Sequence, residues 1–170
     1  MYTRRRQEID NFLFTHCEFM RGEILDIGGT KDHKRGKFKP PKTFNGSWKY
    51  VNTDISTNPD FLNSAYKIDL PESSIDGFVM CELLEHLEFP EKALKEAFRL
   101  LKKGGKGIIT IPFIYQYHPH PEDYQRWTSK KVEIVLKEIG FKKIEINPMG
   151  GLISVILDLC HSSINRMENQ

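Results

Sequence analysis

Short apolar runs alternate with stretches of helical periodicity along this chain, and that alternation constrains the fold more than any other feature. Residues 24–27 (Ile-Leu-Asp-Ile), 50–54 (Tyr-Val-Asn-Thr-Asp), 75–80 (Ile-Asp-Gly-Phe-Val-Met) and 107–111 (Gly-Ile-Ile-Thr-Ile) read as buried strands. The clearest helix follows Pro90, puts Leu94, Ala97, Phe98 and Leu101 on one face, and is expected to end at Gly104-Gly105. A second helix starts at Thr128 or Ser129, buries Val132, Val135, Leu136 and Ile139, and stops at Gly140 before a predicted strand over residues 141–146. Repeated strand–helix units predict an α/β fold: a doubly wound, mainly parallel Rossmann-like sheet with helices on both faces.

With 170 residues the chain has room for one substantial core, so one domain is expected. An N-terminal helix (1–22) precedes core sheet and helices (23–147) and a C-terminal segment (148–170). The first helix, over residues 8–20, carries Ile9, Phe12, Leu13 and Phe19, closes at Gly22, and is expected to pack beside the sheet and over the binding cleft. Residues 31–47 lack helical periodicity, so the first crossover helix is expected to be shortened or replaced by a basic loop. Residues 152–160 fit either a returning strand or an amphipathic helix. The spacing of Leu152, Val155, Ile156 and Leu159 favours the helix, whose apolar face is available for homodimer contact.

A net charge of +2 is too small for a general polyanion binder. The local run from Lys31 to Lys42 suits a phosphate or a solvated loop, and it lacks the aromatic platform of a dedicated nucleic-acid reader. Cys17, Cys81 and Cys160 form no CxxC pair, which argues against a disulfide framework or zinc ribbon and favours a reducing, cytoplasmic setting. No export signal or membrane span is expected.

Ligands of open α/β sheets sit beyond the carboxyl ends of the strands, where strand order reverses. The first strand ends in Asp26-Ile27-Gly28-Gly29-Thr30, an acid followed by small residues that let backbone approach a ligand. Absence of GxGxxG there disfavours a nicotinamide-dependent oxidoreductase.

This segment resembles the first motif of the class I S-adenosylmethionine-dependent methyltransferases, with Thr30 standing where the second glycine is usual. The resemblance extends over residues 23–147. It implies a methyl transferase using S-adenosylmethionine, with Asp26, Gly28 and Gly29 near the cofactor and Asp54 accepting bonds from both ribose hydroxyls. Ile55 follows Asp54, and Ser64 and Ala65 match the adenine-contacting corner, with Asp69 the rival for the acid usual at Ser64. Glu82, Leu83 and Leu84 match the loop bordering the cofactor after strand four, where Glu85 and His86 are expected to orient that loop.

Residues 112–128, containing Pro112-Phe113, His118, His120 and Asp123-Tyr124-Gln-Arg126-Trp127-Thr128, resemble the acceptor-side insert of a methyltransferase type 11-like branch. The resemblance implies a small-molecule or glycan-like acceptor. Tyr115, Tyr117, His118 and Tyr124 are the candidate substrate contacts. His118 is the first candidate base, with His120 and Asp123 behind it. Arg126 is expected to pair with Asp123, and Trp127 to plug the core. No metal is expected, since no carboxylate in the sequence pattern completes a site with His118 and His120. A fold that binds the cofactor without turnover is the alternative.

Overall fold

The computed structural model describes residues 3–31, 36–40, 46–118 and 121–168, with side chains as far as residue 161. Five strands, β1 (Gly22–Ile27), β2 (Gly46–Asn52), β3 (Phe61–Leu62), β4 (Ile75–Cys81) and β5 (Leu101–Thr110), form one sheet in the order β3-β2-β1-β4-β5. All four neighbouring pairs are parallel. Helices are α1 (Arg4–Cys17), α2 (Pro90–Leu100), α3 (Ser129–Ile139) and α4 (Leu152–Glu168).

Each sheet face is covered because the strands are apolar on both sides. On one face Leu25, Ile27, Phe78 and Met80 pack with Ala93, Leu94, Ala97 and Leu100 of α2 and Val135 and Leu136 of α3. On the other, Ile24, Val79 and Ile108 meet Ile9, Leu13 and Cys17 of α1, spaced four apart on one helical stripe. The α/β sandwich expected from the strand–helix alternation is therefore present. Thr3 caps α1 by accepting from the Arg6 N–H at 3.2 Å, and Thr128 caps α3 through the Lys131 N–H at 3.2 Å.

Three local expectations differ. α1 begins at Arg4 and ends at Cys17, which leaves Phe19 67% exposed beyond the helix. Gly104-Gly105 do not stop α2, which ends at Leu100. They instead carry an irregularity inside β5, where pairing jumps from Ile75↔Leu101 to Gly77↔Lys106 and Gly104 takes φ +85°. Residues 141–146 form no strand, because Lys143 adopts φ +53° and interrupts extended backbone. Phe141 packs its ring on Phe98 and Phe78 instead, at 4.9 and 6.0 Å between centroids. The C-terminal segment is a helix, as its spacing favours, and its apolar face is exposed. Ser154 and the buried Asp158 face α1, with Ser154 Oγ 3.4 Å from Glu8, while Leu152, Ile153, Ile156 and Leu157 are exposed.

Among the described residues no helix lies between β1 and β2; much of the expected basic loop lies outside them. The chain reappears at Gly36, where the Lys37 N–H donates to Asp10 of α1 at 2.7 Å and Phe38 packs on Phe14 and Trp48. None of the described helices is long and apolar enough to cross a membrane.

Gly107 is a sensitive packing position, since a Cβ there would collide with the Phe78 ring on the neighbouring strand. Gly107→Ala should lower unfolding free energy by about 1–3 kcal/mol, the usual cost of overpacking. Denaturant melts overlapping wild type would refute that assignment.

Candidate functional site

Chain order reverses between β1 and β4: β2 and β3 extend the sheet one way, β4 and β5 the other. A crevice opens beyond their carboxyl ends, as expected for such a reversal. It is lined by Arg6, Leu13, Asp26, Gly28, Gly29 and Phe38, among others. Gly28 takes φ +84°, a conformation that side chains resist, and a Cβ there would lie 2.8 Å from Leu83. Its N–H donates to Val51 at 2.8 Å, while the Asn52 amide reaches the Gly29 carbonyl at 3.1 Å, tying the turn to β2. A Cβ on Gly29 would strike the Asp26 carboxylate. That contact explains a glycine at this position of the turn, which sequence pattern alone did not.

Burial pushes the Asp26 carboxyl up to about 7, against the opposing effects of the Trp48 indole and the Arg6 guanidinium. Arg6 comes from the cover that α1 places over the crevice and is held by Asp10 at 2.8 Å. The cavity among these residues is about 70 Å³ and partly open to solvent.

Asp54 stands exposed past the end of β2, capping the Ile55–Thr57 turn by accepting from the Ser56 N–H at 2.8 Å. These bonds hold its carboxyl below the usual range, so it is ionised at neutral pH. Ile55 is 74% exposed beside it. Past β3, Ser64 is exposed and accepts from the Tyr66 N–H at 3.2 Å, whereas Ala65 is buried in the core. Asp69 is clipped to Asn63 at 3.1 Å.

Beyond β4, Glu82 has φ +51° and its N–H donates to the Thr110 carbonyl at 3.0 Å. Thr110 Oγ1 donates back to the Glu82 carboxylate at 3.0 Å, and Arg5 of α1 pairs with the same carboxylate. Leu83 faces Gly28, whereas Leu84 is buried in the core, so only its backbone can border a ligand.

The segment after β5 meets this loop. The Tyr124 N–H donates to the Glu85 carbonyl at 2.8 Å, and His86 Nδ1 donates to the Glu122 carbonyl at 2.7 Å. His118 Nδ1 lies 3.0 Å from the Gln116 carbonyl and 3.1 Å from Asp123. A carbonyl only accepts, so Nδ1 carries the proton and Nε2 keeps a lone pair. Burial lowers the affinity of His118 for a second proton.

Asp123 is engaged by Arg126, with one contact at 2.7 Å, and by the His118 N–H at 3.1 Å, which hold its carboxyl down to about 2. It positions His118, and the expected Asp123–Arg126 pair and buried Trp127 are both present. Tyr115 lies under the Arg5 guanidinium at 4.3 Å and edge-on to His118, while Tyr117 and Tyr124 are exposed. His120 lies outside the described residues.

Sequence reasoning missed two contributions. Arg5 and Arg6 of α1 enter the site, a role that a basic N-terminus did not signal. Glu85 is brought with His86 and His118 into one cluster, a role beyond loop orientation that adjacent residues in sequence do not signal.

Strand order, the glycine turn, the acid at the end of β1 and the acid past β2 together define an α/β domain with the methyltransferase fold. A family profile described as a methyltransferase domain matches residues 43–109. An uncharacterised protein of Methanocaldococcus jannaschii is 34% identical over 90 residues, 45% of this chain and 44% of that one. The chloroplastic 2-methyl-6-phytyl-1,4-hydroquinone methyltransferase of Arabidopsis thaliana is 24% identical over 98 residues, 51% of this chain and 27% of that enzyme. The chain thus spans less than half the length of these relatives. The solved structure of Haemonchus contortus phosphoethanolamine N-methyltransferase 2 with S-adenosyl-L-methionine is similar in fold. Its TM-score is 0.66 at 20% identity, covering 95% of this chain and 42% of that one.

The raised Asp26 pKa has a sign that can be measured. In the unfolded chain the carboxyl titrates near about 4. The stability it contributes is complete below that value and is lost as pH rises towards and through about 7. Asp26→Asn should flatten the fall in melting temperature of the ligand-free protein between about pH 5 and about pH 7.5. A variant slope as steep as wild type would remove Asp26 as its source.

Proposed function

We propose that this chain is an S-adenosylmethionine-dependent methyltransferase acting on a small-molecule or saccharide-type acceptor. The observation that carries it is the Gly28-Gly29 turn at the strand-order reversal, flanked by Asp54 past β2 and by Glu82 and Leu83 past β4. These residues fit the cofactor. The Gly28 and Gly29 backbone leaves space that side chains would fill, the ionised Asp54 can accept two hydroxyl hydrogen bonds, and Asp26 offers a desolvated carboxylate to a cationic group.

Bound S-adenosylmethionine supplies a methyl group on a positively charged sulfur. The protein must hold an acceptor in line with that methyl and keep water out. Ile55 with the Ser64–Ala65 corner suits the adenine side. Tyr115, Tyr117 and Tyr124 offer ring faces and hydroxyls to an acceptor. For a hydroxyl acceptor, Nε2 of His118 is the atom assigned to its proton, because Nδ1 is already spoken for.

Small-molecule acceptors in the names of the Arabidopsis and Haemonchus enzymes support that acceptor class. The saccharide preference rests on the resemblance of residues 112–128. A homodimer through the exposed Leu152, Ile153, Ile156 and Leu157 belongs to the same proposal.

Calorimetry with S-adenosylmethionine, followed by transfer of a radiolabelled methyl to a glycan panel, tests the reading. Asp54→Ala should weaken donor binding about 10- to 100-fold, as expected for losing hydrogen bonds to a charged acceptor. His118→Ala should leave donor affinity intact and reduce turnover on a hydroxyl acceptor by about 10²- to 10⁴-fold. Wild-type turnover by the latter would take His118 out of the chemistry, and absence of donor binding to the native chain would end the proposal.

A further inference from the structure

The acceptor side of the crevice contains a group of side chains that hydrogen bonding alone does not explain. Glu85, His86 and His118 each place a ring nitrogen or carboxylate oxygen within 4.8 Å of the others. The Glu85 side chain is 1% exposed, its Oε1 lies 3.7 Å from His86 Nε2, and its Oε2 has no hydrogen-bond partner. A carboxylate oxygen buried without a donor is costly unless something positive completes it.

Both histidines are prepared in the manner of metal ligands. His86 Nδ1 donates to the Glu122 carbonyl at 2.7 Å, and His118 Nδ1 faces the Gln116 carbonyl at 3.0 Å and the Asp123 carboxylate at 3.1 Å. Such outer bonds fix the tautomer and leave Nε2 of each ring as a donor of its lone pair. The rings stand edge to face with centroids 5.0 Å apart. The His118 side chain is 27% exposed, so the cluster can be reached from solvent.

We propose that Glu85, His86 and His118 form a binding site for one divalent transition ion of the zinc, cobalt or iron type. Two imidazoles and one carboxylate are the ligand set of open catalytic sites for these ions, which keep positions for water or substrate. Metal bonds of about 2.0–2.2 Å would draw the ligand atoms to roughly 3.4 Å apart, a closure of about an ångström shared among three side chains. Arg5 and Arg126 are the nearby cations. Each is already paired, with Glu82 and Asp123 respectively, so neither fills the place of the ion.

The proposal rests on the methyltransferase reading for its chemistry and deepens it. A hydroxyl acceptor coordinated to the ion loses its proton to solvent water, and its oxygen lone pair then bonds the methyl carbon. The carbon–sulfur bond breaks with its electrons going to sulfur, which leaves a neutral thioether. With its Nε2 lone pair on the ion, His118 would serve as a ligand only, and this role replaces that of the base.

Titration of the metal-free full chain with Co²⁺, followed by its visible d–d absorption, tests the site without reference to turnover. One Co²⁺ per chain is expected, displaced by Zn²⁺. Glu85→Gln and His118→Ala should each weaken binding at least about 10-fold, while His16→Ala, on α1 away from the cluster, should not. Glu85→Gln preserves side-chain volume, and circular dichroism of each variant controls for folding. Binding unchanged in His118→Ala, or no Co²⁺ signal from a native chain that still binds S-adenosylmethionine, would overturn the metal site alone. Co²⁺ binding that depends on Glu85 and His118, in a chain that binds no S-adenosylmethionine, would support the site and sink the methyltransferase reading.

Discussion

Everything in the crevice is referred to the loop after β4, and that loop depends on its clasp with Thr110. Glu82 adopts a left-handed backbone, and its N–H and carboxylate are both held by the last residue of β5. Hydrogen bonds to a charged oxygen are worth more than neutral ones, and this clasp lies within a partly buried layer where losing a partner is expensive. With Glu82 so held, Leu83 is pressed against Gly28, Leu84 is driven into the core, and Glu85 and His86 are presented to the 112–128 segment. The glycine turn, the cover from α1 and the histidine cluster therefore share one anchor.

α1 joins the fold through two different kinds of contact. Its apolar stripe of Ile9, Leu13 and Cys17 is fully packed against the sheet, each aliphatic burial contributing roughly 1.5–3 kcal/mol. Its first turn instead sends Arg5 to Glu82 and Tyr115, and Arg6 to Asp10 beside Asp26. Charged contacts with such desolvation add little net stability, although they fix geometry. The stripe thus holds the helix against the sheet, while the charged turn fixes where Arg5 and Arg6 sit at the crevice.

Much of this was legible in the residues. The strand runs within 24–27, 50–54, 75–80 and 107–111 and the caps at Thr128 and Gly140 follow from local pattern, because periodicity and capping are local physics. The reading went astray where backbone conformation depends on distant packing: Lys143 breaks a strand-like run, and Gly104 bends inside β5 rather than ending α2. Asp26, Gly28 and Gly29 line the crevice, and Asp54 lies past the end of β2, the position to which the resemblance assigned it. Arg5, Arg6 and Glu85 were hidden because their neighbours in space are far along the chain.

The division of labour between the two acidic groups near His118 follows from their partners. Asp123 has its carboxylate taken by Arg126 and by the His118 N–H, and is thereby kept ionised and fixed. Its contact with the imidazole can orient the ring, but a carboxyl held near about 2 is too weak a base to draw a proton away. Glu85 is the opposite case: burial raises its pKa, and one of its oxygens has no hydrogen-bond partner. An anion that is desolvated and incompletely partnered raises the affinity of its surroundings for positive charge. On the acceptor side of this crevice, that makes Glu85, rather than Asp123, the carboxylate through which the protein can stabilise a cation.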